Sequence, residues 1–193
     1  GPGSAIAVNA RELRGLPGVD DDANGFVDDV RGWDFVDVSQ ISGETNRVAP
    51  AEDAVAPDND PDDYDGHGTF VAGIIAARAD DGRGMAGAAP GCRVLPLRAG
   101  WRQDYIDSNS GRHIVRGVIS ETFCAQAIVY AADNGARVMN CSWLSDSLAV
   151  LKAAMDYAVG EKRLVAAVAA GNTGGSENQK LNYLSRRDDC IDV

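Results

Sequence analysis

The sequence predicts an α/β fold organised around a doubly wound parallel sheet, and three observations carry that prediction. From residue 66 onward, short apolar runs alternate with longer segments of helical periodicity, in the order strand, helix, strand, helix, strand. The run at residues 164–169 is apolar without interruption, as expected for a strand buried on both faces of a sheet. Gly135 and Gly160 stand where two of the helical patterns stop. Alternating strands and helices of this kind join as right-handed parallel crossovers, with ligands expected at the carboxyl ends of the strands.

Each element has its own justification. Residues 1–4, Gly-Pro-Gly-Ser, resemble a scar left by tag cleavage and are set aside. Residues 5–65 form an acidic, loop-rich region that lacks helical periodicity, and residues 66–193 are expected to form the parallel α/β core. A helix is predicted over 69–79, which is Ala-rich and apolar with Gly73 as its only weak point. A short strand is predicted over 93–98. The polar stretch 100–118, punctuated by Gly100, Gly111 and Gly117, reads as an insertion or a long surface loop. Ser120 can cap a helix running to Asn134, with Phe123, Ala127, Val129 and Tyr130 as its apolar face. A strand follows over 137–143. A helix then starts at Ser145 or Ser147, with Leu148, Leu151, Met155 and Val159 at helical spacing, and Gly160 is expected to end it. Residues 190–193 read as the beginning of another strand.

Charge and composition exclude several classes. A formal net charge of −11 without any basic cluster disfavours a nucleic-acid partner, because a polyanion would be repelled. The longest apolar run, residues 164–170, is far too short to cross a bilayer. Cys92, Cys124, Cys141 and Cys190 show no C-x-x-C pairing, which argues against zinc and for buried free thiols.

The acidity gathers in two places. In the first, Asp20, Asp22 and Asn24 alternate and Gly25 follows, the opening of a calcium-binding loop. Side-chain oxygens from those three positions and the backbone carbonyl of Phe26 would wrap a hard cation, with Asp28 or Asp29 closing the shell. Position twelve of the loop is Arg31, so this is not an EF-hand. The second stretch, residues 58–63, reads as a solvated loop in preference to a second cation site.

The sharpest chemical signal is Asp65-Gly66-His67-Gly68-Thr69, followed by Phe70-Val71-Ala72-Gly73. Glycines on both sides let the backbone turn and let other chain approach, and a buried helix behind His67 would fix its imidazole as a general base requires. This segment resembles the histidine signature of the subtilisin-like serine peptidases. Val165-Ala166-Ala167-Val168-Ala169-Ala170-Gly171-Asn172 is similar to that family's strand ending in Ala-Gly-Asn, and Gly135-Ala136-Arg137-Val138-Met139-Asn140-Cys141-Ser142 to its Gly-Ala-x-Val-Ile-Asn-x-Ser strand. The Arg31-Gly32-Trp33-Asp34-Phe35 segment also resembles members that carry the calcium loop.

The resemblance implies a calcium-stabilised endopeptidase that hydrolyses peptide bonds with an Asp-His-Ser triad. It assigns the base to His67 and the oxyanion donor to Asn172, both facing one cleft. It places the substrate backbone between Ser142 and Trp143 on one side and Ala169, Ala170 and Gly171 on the other. It implies a peptide or protein substrate and a secreted or cell-envelope location. Leu144 stands where the family usually has a glycine, and a bulky side chain there would narrow the groove. The sequence contains neither the family's apolar-Asp-Thr/Ser-Gly segment nor its Gly-Thr-Ser nucleophile segment. The chain is therefore either a truncated or disrupted piece of the enzyme, inactive alone and open to pairing at its sheet edges, or a degenerate relative that binds peptides without cleaving them.

Overall fold

The computed structural model describes residues 5–172 and 182–193, so residues 1–4 lie outside it. The chain divides into two compact units, Gly1–Val118 and Ile119–Val193.

In the first unit, most of the backbone up to the histidine segment is turn and loop, as the acidic, aperiodic sequence predicts. Strand β1 is Trp33–Asp34, helix α1 is His67–Ala76, and strand β2 is Leu97–Arg98. Strands β1 and β2 pair in parallel, with Trp33 opposite Leu97 and Asp34 opposite Arg98. Gly32 makes that pairing possible: it lies at φ +115°, and a Cβ there would sit 1.9 Å from the Pro96 carbonyl oxygen. Phe26 meets Trp33 and Phe35 edge-on at 5.0 and 5.9 Å between ring centres, and Phe35, Val36, Val38 and Ala54 are buried beside them.

The expected strand over 93–98 is reduced to β2 and a single bridge between Ile6 and Val94. The stretch read as an insertion or surface loop is instead a hairpin of β3 (Gly100–Ile106) and β4 (His113–Ile119). Its tip is closed by backbone bonds from Asp107 N to Arg112 O and from Gly111 N to Asp107 O. The Asp107 carboxylate also accepts from Ser110 N and Oγ.

A three-member ion cluster fixes the centre of this unit. The Arg98 guanidinium donates to Asp34, to Glu52 and to the backbone carbonyl of Asp53, and stacks over the Tyr64 ring at 5.0 Å. Burial pushes the Asp34 carboxyl up to about 7, against the pull of the Val36 amide and the Arg98 charge. Burial likewise raises Glu52, against the Arg102 amide and Arg98. At both carboxylates burial outweighs the pull of the Arg98 guanidinium they share.

In the second unit, helix α2 is Glu121–Asp133, strand β5 is Val138–Cys141, helix α3 is Ala149–Met155, and strands β6 and β7 are Val165–Val168 and Ile191–Asp192. The three strands form one parallel sheet in the order β5-β6-β7, with Val138 opposite Val165 and Ala167 opposite Ile191. That is the strand–helix–strand alternation the sequence predicts. Ser120 accepts the first helical bond of α2 through its carbonyl, while its side chain makes no cap. Gly135, at φ +76°, ends the helix as expected.

Two expectations fail here. Gly160 does not stop the helix after α3. The chain runs on as a π-helix over Asp156–Glu161, anchored by Tyr157 Oη and Lys162 Nζ, both bonded to Asp133, and it leaves the helix at Arg163, φ 65°. Nor is β6 buried on both faces. Met139, Cys141, Ala166 and Val168 are buried, whereas Val165 of β6 is 46%, Val138 63% and Ile191 56% exposed. Cys124 of α2 and Cys141 lie side by side on the buried face. Burial pushes the Cys141 thiol up to about 12 and raises Cys124 further, so both behave as inert hydrophobes. Cys92 is exposed and Cys190 half-buried, contrary to the expectation of four buried thiols, and all four are free.

Candidate active site

His67 is the first residue of α1 and is exposed. Gly66 precedes it at φ 92°, a left-handed conformation that glycine enters without strain and that turns the chain into the helix. Asp63 binds three backbone amides around the helix start. Its Oδ1 accepts from Asp65 N at 3.1 Å and Gly66 N at 2.8 Å, and its Oδ2 accepts from Thr69 N at 2.7 Å. Burial works to raise the Asp63 carboxyl, but the amides of Thr69, Gly66 and Asp65 and the Thr69 hydroxyl outweigh it and hold it below the usual carboxylate range.

Asp63 is therefore a structural cap on the helix that carries His67, which a reading of residues 58–63 as a solvated loop misses. The rest of that stretch is also engaged: Asp58 and Asp34 exchange backbone bonds, and Asn59 Nδ2 donates to Asp28 O. Helix α1 itself differs from expectation. It starts earlier and ends earlier than residues 69–79, and of its residues only Ala76 is buried, with Phe70 65% exposed. The backbone that presents His67 is thus held by the turn in front of it and not by a buried helix behind it.

In the second unit the two segments expected to line a substrate groove come together. Strands β5 and β6 run parallel with Cys141 opposite Val168, so Ser142 and Trp143 leave β5 at the same end of the sheet where Ala169, Ala170, Gly171 and Asn172 leave β6. Ala169 N donates to Cys141 O, and Ala170 N to Val193 O. Ser142 Oγ accepts from Asn140 Nδ2 at 2.8 Å. Gly171 lies at φ +103°, and Leu144 Cδ2 sits 3.5 Å from where a Cβ on Gly171 would be. Leu144 therefore lies beside the chain that leaves β6. Asn172 follows, exposed, in a bend. His67 belongs to the first unit and Asn172 to the second.

The acidic loop is a dense set of short turns. Asp20 accepts from the amides of Asn24 and Gly25, and Asn24 Oδ1 accepts from Phe26 N. Asp29 is buried, with one carboxylate oxygen accepting from Asn9 Nδ2 and the other from Asn24 Nδ2. The sequence reading lacks one member. Glu12 is buried at the centre of the loop and accepts from the amides of Asp21, Asp22 and Asp28. Glu12, Asp20 and Asp22 each bring a carboxylate oxygen within 4.8 Å of the others. An all-oxygen anionic donor set of that size fits a hard divalent cation. Nothing in the local pattern of residues 5–19 marks Glu12, because its partners are backbone amides of a loop that begins eight residues later.

Comparisons with known proteins identify relatives of this chain. The model of the subtilase family matches residues 31–191. The thermophilic serine proteinase of Bacillus sp. (strain AK1) is 41% identical over 131 residues, which are 67% of this chain and 29% of that protein. Mycosin-3 of Mycobacterium tuberculosis is 38% identical over 143 residues, 66% of this chain and 31% of that one. Among solved structures, fervidolysin from Fervidobacterium pennivorans, a keratinolytic enzyme related to subtilisin, superposes with a TM-score of 0.50 at 28% identity, covering 98% of this chain and 26% of its own. The chain spans less than half the length of each of these relatives.

Proposed function

This chain belongs to the subtilase family, and on that footing we propose that it forms part of a calcium-stabilised serine endopeptidase, with His67 as general base and Asn172 as oxyanion donor. The observation that carries the reading is the exposed imidazole of His67 at a helix start held by Gly66 and Asp63. An accessible imidazole on a rigid turn can take the proton from a serine hydroxyl as it attacks a peptide carbonyl, then return it to the leaving amine. Asn172, at the end of a rigid parallel strand, offers a neutral amide donor to the oxygen on which negative charge develops; such donors contribute roughly 3–4 kcal/mol to the transition state.

The substrate is an extended segment of peptide or protein, lying between Ser142–Trp143 and Ala169–Gly171 and bonding to their backbone edges. Calcium would be held by Glu12, Asp20 and Asp22, with Asn24, Phe26 and Asp29 around them, and would neutralise a loop whose carboxylates otherwise repel. The family resemblance supports a secreted or cell-envelope location. The flanking coding sequence tests the enzyme reading. An apolar-Asp-Thr/Ser-Gly segment upstream and a Gly-Thr-Ser segment downstream are expected. A start codon and a stop codon at these two ends would overturn it in favour of a peptide binder without hydrolysis.

A further inference from the structure

We propose that Asn182 is a positioning residue that sets the spacing of the two substrate-binding segments and, through Ala169, the placement of Asn172. The inference rests on the reading of those segments as a substrate groove. Beyond Cys141 and Val168 the ladder between β5 and β6 ends in one backbone bond, from Ala169 N to Cys141 O at 3.1 Å. Past that bond, the segments 142–145 and 169–172 have no shared ladder, and Asn182 bonds to both.

Its side chain is fully buried. Nδ2 donates to the carbonyl of Ala169. Oδ1 accepts from Ser145 N at 3.3 Å, from Ser145 Oγ at 3.2 Å, and from Leu184 N at 3.3 Å. Tyr183 N adds a bond to Ser145 O at 2.9 Å. The staple therefore runs from the end of β6, through one amide group, to the segment that carries Ser142, Trp143 and Leu144.

The residue type follows from the chemistry. One planar group must donate to a carbonyl on one side and accept from an amide and a hydroxyl on the other. An amide does both, a carboxylate only accepts, and an aliphatic side chain does neither. Ala169 lies three residues before Asn172. Releasing its carbonyl frees the strand end from which the oxyanion donor projects, and leaves a buried acceptor unsatisfied. The sequence offers no signal for this, since an isolated Asn reads as a turn residue.

The test uses the isotopically labelled 193-residue chain and the peptide succinyl-Ala-Ala-Pro-Phe-amide as probe. Two signals are read: the ¹³C resonance of the Ala169 carbonyl and the side-chain amide resonance of Asn172. Peptide affinity is measured alongside by shift perturbation. Asn182→Asp keeps the acceptor and loses the donor. It is expected to move both resonances and to weaken peptide binding about tenfold, the size of one lost buried hydrogen bond.

Leu184→Ala removes an equally buried neighbour that makes no side-chain bond to Ala169. It should lower the melting temperature yet leave both resonances and the peptide affinity near wild type. The proposal is overturned if Asn182→Asp leaves the Ala169 and Asn172 signals in place, or if Leu184→Ala weakens the peptide as much. If the wild-type chain binds no peptide, the groove reading fails, and the two resonances still decide whether Asn182 positions these segments.

Discussion

Arg98 and Asp34 form an ion pair inside the first unit with side chains only 6% and 1% exposed, and Glu52 shares the same guanidinium. This arrangement predicts an unusual pH dependence. Burial raises the Asp34 carboxyl from 3.8 to about 7, so between those values the folded chain holds a proton that the unfolded chain has lost. Stability must then fall as pH rises through that window, by up to about 1.4 kcal/mol per pH unit for one such group. The carboxylates held low, such as Asp20, Asp37 and Asp63, act the other way but only in acid, where stability is lost as pH falls through their folded values. Denaturant melts from about pH 5 to about pH 7.5 should therefore show declining stability in the wild type and a flatter profile in Asp34→Asn. A wild-type profile that rises over this range would refute the assignment.

Calcium should raise the melting temperature and a chelator should lower it. Mass action implies about 2.7 kcal/mol when free calcium is 100 times its dissociation constant. Asp22→Ala should abolish the response. So should Glu12→Gln, which keeps the size of a buried side chain while removing a charged ligand. A response that survives both variants would place the ion elsewhere.

Leu144 bears on which peptides fit. Its Cδ2 lies over Gly171, so the space between the two segments should favour a small side chain. Leu144→Gly is expected to improve binding of succinyl-Ala-Ala-Pro-Phe-amide about tenfold relative to the same peptide ending in alanine, by opening room for an aromatic ring to be buried. Equal gains for both peptides would mean that Leu144 does not set this preference.

The 193-residue chain by itself should not turn over a casein-type substrate, because general base and oxyanion donor cannot cleave a peptide without a nucleophile. Turnover by pure chain that disappears in His67→Ala would show that another residue here supplies the attack.

What could be read from the sequence follows a physical division. Helix α2 and strands β5 and β6 are legible because their burial is apolar and periodic. The histidine segment is legible because Gly66 is required by the turn. Hairpin β3-β4 is not, because its buried positions are Trp101 and Gln103. A Gln amide satisfied by Glu44 and Arg116 hides the alternation that a run of hydrophobes would have displayed. Glu12 and Asn182 escape notice for a related reason: each acts on backbone groups brought near by folding, and backbone partners leave no trace in side-chain pattern, whereas the bonds of Asp63 are local, to amides two to six residues ahead. The π-helix at Asp156–Glu161 is likewise a tertiary effect, since Asp133 of another element supplies its anchors.

The hairpin tip offers a practical opening. Residues 107 and 112 are clamped together by a backbone bond, while Ser108 and Asn109 are exposed between them. The two chain ends at that point are already neighbours, so joining them through an added loop costs little entropy, and each doubling of loop length adds only about 0.6 kcal/mol. A fluorescent reporter or an affinity handle inserted between Ser108 and Asn109 would ride on the clamp without reaching β3 or β4, giving a label placed well away in sequence from His67 and Asn172.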